Sequence, residues 1–315
     1  SAEIVRSFID GAECYENIVI LCPVKMKNTI CDFFTARLNA EFDASGVLNS
    51  GATTVFLQFS DCENRLKISD IKQIIDKKYG IKYESTVIRA VGAPKKLLDQ
   101  AVAKAAKLFD RGEAFFNVKN DYDDCRIEVV YSSKMPKIAL DEGVREIVKT
   151  LNDYIYALED VSLAEQLFRL LKLRRMKICV AESFTGGGVG KKLVEVSGIS
   201  EVYHEGLNTY SNEAKMARLG VSELTLRQHG AVSAETAYQM AEGLIKSGNC
   251  DVAISTTGIA GPKSDNTSKP VGLAFIGVAV GEDIAVYKFN FGGNRENITQ
   301  TAINHALFLA YKRLK

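Results

Sequence analysis

The chain has 315 residues, 46% of them hydrophobic and 25% charged, with a formal net charge of +1. That length suggests two or three domains with sizeable cores, and no run approaches the roughly 18 apolar residues that a membrane span needs. Residues 1–160 hold 22 Lys and Arg against 25 Asp and Glu, and residues 161–315 hold 18 against 14, so neither half has the basic excess of a nucleic-acid binder.

The opening SAEIVRSFIDGAE lacks the basic and apolar regions of a signal peptide, which predicts a cytoplasmic location. An internal repeat is then expected. ENIVILCP (16–23) and STVIRAVGAP (85–94) are apolar runs stopped by proline, and each leads into a helical pattern. TTVFLQFS (53–60) and CRIEVVYS (125–132) alternate as half-buried strands, and helices are expected after both, over 70–83 and 143–156. Each unit reads as β-α-β-α, and two such units could cover each other's exposed sheet faces.

From Val161 the pattern changes. SLAEQLFRLLKLRR is an amphipathic helix with Leu163, Leu167, Leu170 and Leu171 on one stripe. A strand over 177–182, a helix from about 186, a strand over 206–210 and a short helix over 212–219 follow. Helix 234–247, strand 251–257, two neighbouring strands over 271–280 and 283–291 and a helix over 294–313 complete the chain. This alternation predicts a three-layer α/β/α domain with a mixed sheet, preceded by one or two small α+β units. The expected domains are 1–84, a repeat copy or a remnant; 85–159, a small α+β middle domain; and 160–315. The seven cysteines (14, 22, 31, 62, 125, 179 and 250) are scattered without CxxC, so neither a zinc site nor a disulfide framework is indicated.

Ligands of α/β folds sit at the carboxyl ends of strands, and Ser183, Tyr210 and Thr257 all fall there. Ser183 ends the strand KICVAES, and Thr185, Gly186 and Gly187 open the following helix, where free backbone N–H groups suit an oxyanion. The run GGGVGKK misses the Walker A spacing by one residue and has no GxGxxG, which argues against a nucleotide loop. A serine nucleophile needs a base. Of His204, His229 and His305, only His204, close before the strand that ends at Tyr210, is worth weighing, and Lys215 is the better base. Tyr210 and Lys215 stand about one and a half turns apart in YSNEAK, and burial near a helix start would lower the amine's pKa. TTGIAGP (256–262) and KPVG (269–272) bracket a polar loop at 263–268 and place Thr257, Gly258 and Ala260 at the mouth of the site. Arg295 falls in the first turn of the last helix, where the dipole disfavours a cation, so a role as a phosphate or carboxylate clamp is expected.

Five blocks in this order, AESFTGG, YSNEAK, HGAVS, TTGIAGP and KPVG, resemble the C-terminal domain of the CinA (competence/damage-inducible) family over about 155 residues. The resemblance implies a nicotinamide-nucleotide amidohydrolase that needs no cofactor or metal. Its substrate would be a small mononucleotide, with neither nucleic acid nor membrane as partner, and its state a homodimer or higher homo-oligomer. It also implies that Ser183 is the catalytic serine, Lys215 the catalytic lysine and Tyr210 an assisting hydroxyl, with Thr209 among the substrate-binding residues. Phe184 stands where the family often has cysteine, and alternation points it away from Ser183. The large molybdopterin-binding-like domain of full-length family members is missing, so its pyrophosphatase activity is not expected here. The alternative is a binding or regulatory protein on the same scaffold. Its middle domain would be loosely KH-like, though without a GXXG loop and with a negative charge.

Overall fold

A computed structural model describes residues 15–51, 53–59, 71, 74, 77, 80, 82–109, 114–263 and 268–315. The opening segment, most of the helix expected over 70–83 and most of the loop at 263–268 lie outside the described residues. The chain forms two compact units, one ending at Tyr83 and the other running from Glu84 to Lys315.

In the first unit, β1 (Asn17–Cys22) leads into α1 (Lys27–Leu38), then β2 (Val47–Ser50) and β3 (Thr53–Phe59). The sheet order is β1-β3-β2, with β1 parallel and β2 antiparallel to β3. Ile30 and Phe34 of α1 pack on Leu48, Val55 and Leu57, while Val47 and Phe56 on the other face meet Ile71.

The second unit opens with β4 (Tyr83–Val91), α2 (Lys95–Ala106), β5 (Ala114–Asp121), β6 (Asp124–Ser132), α3 (Lys137–Leu151) and β7 (Ile155–Ala157), in the sheet order β5-β6-β4-β7. The first three strands therefore sit as β4-β6-β5, the order that β1, β3 and β2 take in the first unit. Sequence periodicity misses β2 in the first segment and both β5 and β7 in the second, where the helix expected over 143–156 ends at Leu151. β2 has only four residues and β7 three, while β5 is mostly exposed and sets two adjacent phenylalanines before a largely polar end, so none carries an apolar alternation. The second segment is therefore β-α-β-β-α-β rather than β-α-β-α, and the first is β-α-β-β over its described elements.

The rest of the second unit is the expected three-layer α/β/α arrangement. Its sheet runs β12 (Asp283–Asn290), β11 (Leu273–Val280), β10 (Val252–Gly258), β8 (Ile178–Glu182), β9 (Tyr203–Asn208). β10, β8 and β9 are parallel, and β11 and β12 continue antiparallel. One face, through Ile178, Val180, Val252 and Ile254, packs on α4 (Leu163–Arg174), α5 (Gly188–Val194) and α9 (Arg295–Leu314). The other, through Cys179, Ala181 and Ala253, packs on α6 (Asn212–Leu219) and α8 (Ala234–Lys246). α7 (Glu223–His229) joins those two helices. Val91, Tyr156 and Ala157 of the preceding segment enter the larger core. The β5–β6 turn also docks on α9: Asn304 Nδ2 donates to the carbonyls of Asp121 and Tyr122, and His305 Nε2 lies 3.0 Å from Asp123 Oδ2.

Candidate active site

Strand alternation divides the residues at the end of β8 between the two faces. Val180 faces α5 and Glu182 continues that side, while Ala181 faces α6 and Ser183 continues the other. Ser183 is 8% exposed, and its amide donates to the Thr256 carbonyl at 3.0 Å. Just past the end of the neighbouring β9, Thr209 and Tyr210 lead into Ser211, whose hydroxyl caps α6 by accepting from the Ala214 amide. Lys215 is the fourth residue of that helix, which turns its side chain back toward the strand ends.

The Lys215 Nζ lies 3.1 Å from Ser183 Oγ, 2.8 Å from the Thr209 carbonyl and 3.2 Å from the Tyr210 carbonyl. Lys215 is 1% exposed and no carboxylate pairs with it among the described residues, so burial lowers its pKa from 10.5 to about 8. A neutral amine has two N–H donors and one lone pair. With the two carbonyls taking the donors, the lone pair is directed at the Ser183 hydroxyl. None of the three histidines bonds to either residue. His204 is exposed on β9, His229 lies 3.4 Å from Glu235, and His305 is bonded to Asp123.

The glycine turn differs from the sequence expectation. The Gly186 amide donates to the Ser183 carbonyl, and the Gly187 amide donates to Glu182 Oε2. Among the described residues the Thr185 amide, alone of the proposed oxyanion donors, makes no hydrogen bond, and the Phe184 amide, which the sequence reading passed over, makes none either. The Thr185 hydroxyl is 2.7 Å from that of Thr256, which holds the turn against β10. Glu182 and Thr256 are the residues that the sequence reading missed. A single Glu at a buried alternate position of an otherwise apolar strand was the available signal.

The other expected residues gather around this centre, some with partners of their own. Thr209 is buried, and its hydroxyl has no partner among the described residues. Tyr210 is 63% exposed; it contacts Lys215 through its carbonyl, and its hydroxyl sits 3.4 Å from Arg295 Nη2. Arg295 opens α9 directly after the Asn294 cap, and its Nη1 donates to the Gly261 carbonyl at 2.7 Å. The Thr257 hydroxyl is committed to the Ala231 carbonyl at 2.6 Å. Gly258 has Phe184 and the Leu273 carbonyl where a Cβ would stand, and Ala260 packs with Phe184 in a small apolar cluster. Phe184 thus points away from Ser183, as alternation predicts. KPVG forms a turn rather than the start of β11, and Lys269 Nζ donates to the His229 and Val232 carbonyls. Among the described residues no group of three or more His, Cys, Asp or Glu could hold a metal ion, and no helix is long and apolar enough to cross a membrane.

A buried lysine amine beside a strand-end serine hydroxyl in a three-layer α/β domain sets a proton acceptor against a group that can be a nucleophile. Residues 160–314 match the CinA C-terminal domain, and this part of the chain belongs to that family. A putative competence-damage inducible protein of Clostridium beijerinckii is 46% identical over 174 residues, 55% of this chain and 42% of that protein. A CinA-like protein of Kosmotoga olearia is 46% identical over 163 residues, 52% of this chain and 40% of that protein. The competence/damage inducible protein CihA of Agrobacterium tumefaciens, a solved structure, is 34% identical and matches 48% of this chain and 93% of its own, with a TM-score of 0.46. The chain spans less than half the length of the curated relatives it matches.

Proposed function

We propose that this chain is a nicotinamide-nucleotide amidohydrolase, converting nicotinamide mononucleotide and water into nicotinate mononucleotide and ammonia. The observation that carries this reading is the buried Lys215 amine at 3.1 Å from Ser183 Oγ, with its pKa lowered to about 8. Burying an amine without a carboxylate is costly, and a scaffold that only binds has no use for it.

Ser183 Oγ attacks the carboxamide carbon while Lys215 takes the hydroxyl proton. The free amides of Phe184 and Thr185 receive the oxyanion that develops on the carbonyl oxygen. Lys215 returns its proton to the carboxamide nitrogen, the C–N bond breaks, and ammonia leaves an ester on Ser183. Water then attacks that ester with Lys215 again as base, giving the carboxylate product and free serine. Tyr210 and Arg295, joined at 3.4 Å on the exposed rim, are suited to the ribose-phosphate end of the substrate.

Ammonia release from nicotinamide mononucleotide, with plain nicotinamide alongside, tests the reading. Hydrolysis of the mononucleotide that disappears in Ser183→Ala supports it. No hydrolysis by the intact chain, or unchanged hydrolysis by Ser183→Ala, overturns it.

A further inference from the structure

Glu182 is a buried acid that the proposed chemistry does not use. It is 2% exposed, and no lysine, arginine or histidine pairs with it among the described residues. Its partners are three backbone amides at the start of α5. Gly187 and Val189 donate to Oε2 at 3.0 Å each, and Gly190 donates to Oε1 at 2.8 Å. Helix starts are ordinarily capped by a side chain at the cap position itself. Here the cap position is Gly187, which has none, and the acceptor comes from five residues earlier, immediately before Ser183. The carboxylate therefore closes the base of the turn Ser183–Gly186, bolting the strand that delivers Ser183 to the helix that follows it.

Within the turn the Gly186 amide donates to the Ser183 carbonyl and the Gly188 amide to the Thr185 carbonyl, but its glycines leave it pliable. Gly186 and Gly187 are both in the left-handed region, at φ +62° and +94°, where the backbone is permissive rather than rigid. On the β10 side it is held by the Ser183 amide on Thr256 and by the Thr185 hydroxyl. On the α5 side Glu182 holds it. The two unbonded amides, those of Phe184 and Thr185, lie between these anchors.

We infer that Glu182 is a positioning residue, which uses the α5 amides to fix Ser183 and the Phe184 and Thr185 amides in the geometry that acyl transfer needs. This rests on the proposed role of Ser183. The same three bonds occupy the helix start, so a phosphate on the substrate is held elsewhere. Positioning of this kind acts on the chemical step, since a displacement of about 1 Å can cost about 100-fold in rate.

The test compares the full chain with Glu182→Gln and Glu182→Asp. Turnover is read as ammonia release from nicotinamide mononucleotide. Ser183 reactivity is read separately as its rate of phosphonylation by a fluorophosphonate, which does not require the mononucleotide to be the substrate. Gln offers one acceptor oxygen where three amides converge and turns N–H groups toward at least one of them. We expect kcat and the phosphonylation rate to fall together by roughly 10- to 100-fold, with KM within about twofold. Asp keeps the negative charge at the helix start but is one methylene shorter. It should recover the melting temperature without recovering the rate. Should Glu182→Gln fail to fold, Glu182→Asp carries the comparison. Rates that follow melting temperature across the variants, or a folded variant that keeps wild-type rates, would overturn the inference. Phosphonylation of wild type without hydrolysis of the mononucleotide would sink the substrate reading alone and leave Glu182 to be judged on phosphonylation.

Discussion

Gly243 of α8 lies against the carbonyl oxygen of Leu219, the last residue of α6, so closely that a Cβ at Gly243 would overlap it. α6 is the helix that carries Lys215, so this contact sets how near the amine comes to Ser183. Gly243→Ala should gain about 1 kcal/mol of helix propensity and lose about 1–3 kcal/mol to overpacking. The net effect is a melting temperature lower by a few degrees. Because α6 must move, kcat should fall as well. A stabilised variant with unchanged kcat would show that α6 is not held by this contact.

The lowered pKa of Lys215 has a consequence for stability. A drop from 10.5 to about 8 means that burial costs the charged amine about 3 kcal/mol. Below pH 8 folded and unfolded chains both carry the proton, and the cost is felt in full. Between about 8 and 10.5 the unfolded chain keeps a proton that the folded chain has lost, so this group makes stability rise with pH. Lys215→Met also loses three hydrogen bonds of about 0.5–1.5 kcal/mol each, which offset the cost of the charge, so the expected sign is in the trend: its stability relative to wild type should fall as pH rises from about 8 to 10.5. A stability difference between Lys215→Met and wild type that stays constant across that range would contradict the cost assigned to the buried amine.

Arg295 reaches Tyr210 and the Gly261 carbonyl from the exposed start of α9, away from Lys215. A contact to the substrate phosphate there is made equally in ground and transition states, so Arg295→Ala should mainly raise KM. Losing a charge-assisted bond of about 1.5–3 kcal/mol corresponds to roughly 10- to 150-fold in kcat/KM. The riboside, which lacks phosphate, should be processed about equally poorly by both enzymes. Equal losses on both substrates would instead assign Arg295 to the fold.

Every group placed around Ser183 comes from residues after Asp160, but Val91, Tyr156 and Ala157 complete the core beneath the sheet. A chain beginning at Asp160 should keep kcat and melt several degrees lower, whereas one beginning at Glu84 should match the full chain in both. Circular dichroism melts and ammonia release on the two truncated chains check this. Loss of kcat from the shorter chain while it stays folded would mean that residues 84–159 help to build the site.

The strong apolar strands and striped helices of residues 160–315 were legible because both sheet faces are covered and each face repeats its own pattern. KICVAES announced Ser183 at a strand end, and YSNEAK placed Lys215 early in a capped helix, as the structure has them. The four-residue β2 and the mostly exposed β5 were not legible, because one is too short and the other too little buried to show an alternation. Nor was the use of the glycine turn. Spacing showed that amides would be free at the helix start, yet not that Glu182 would reach across and take three of them. Tyr210 lies two residues beyond its strand, where alternation no longer says which way a side chain points.

The role of Lys215 as the base for Ser183 is tested most directly by the pH dependence of kcat/KM for ammonia release from nicotinamide mononucleotide. The wild-type value should rise with pH and level off through a midpoint near 8, because only the neutral amine accepts the serine proton. Lys215→Met should stay at background across the same range. A wild-type profile that is flat from pH 6 to about 10, or a folded Lys215→Met that retains more than about a tenth of wild-type activity, would contradict the Ser183–Lys215 mechanism.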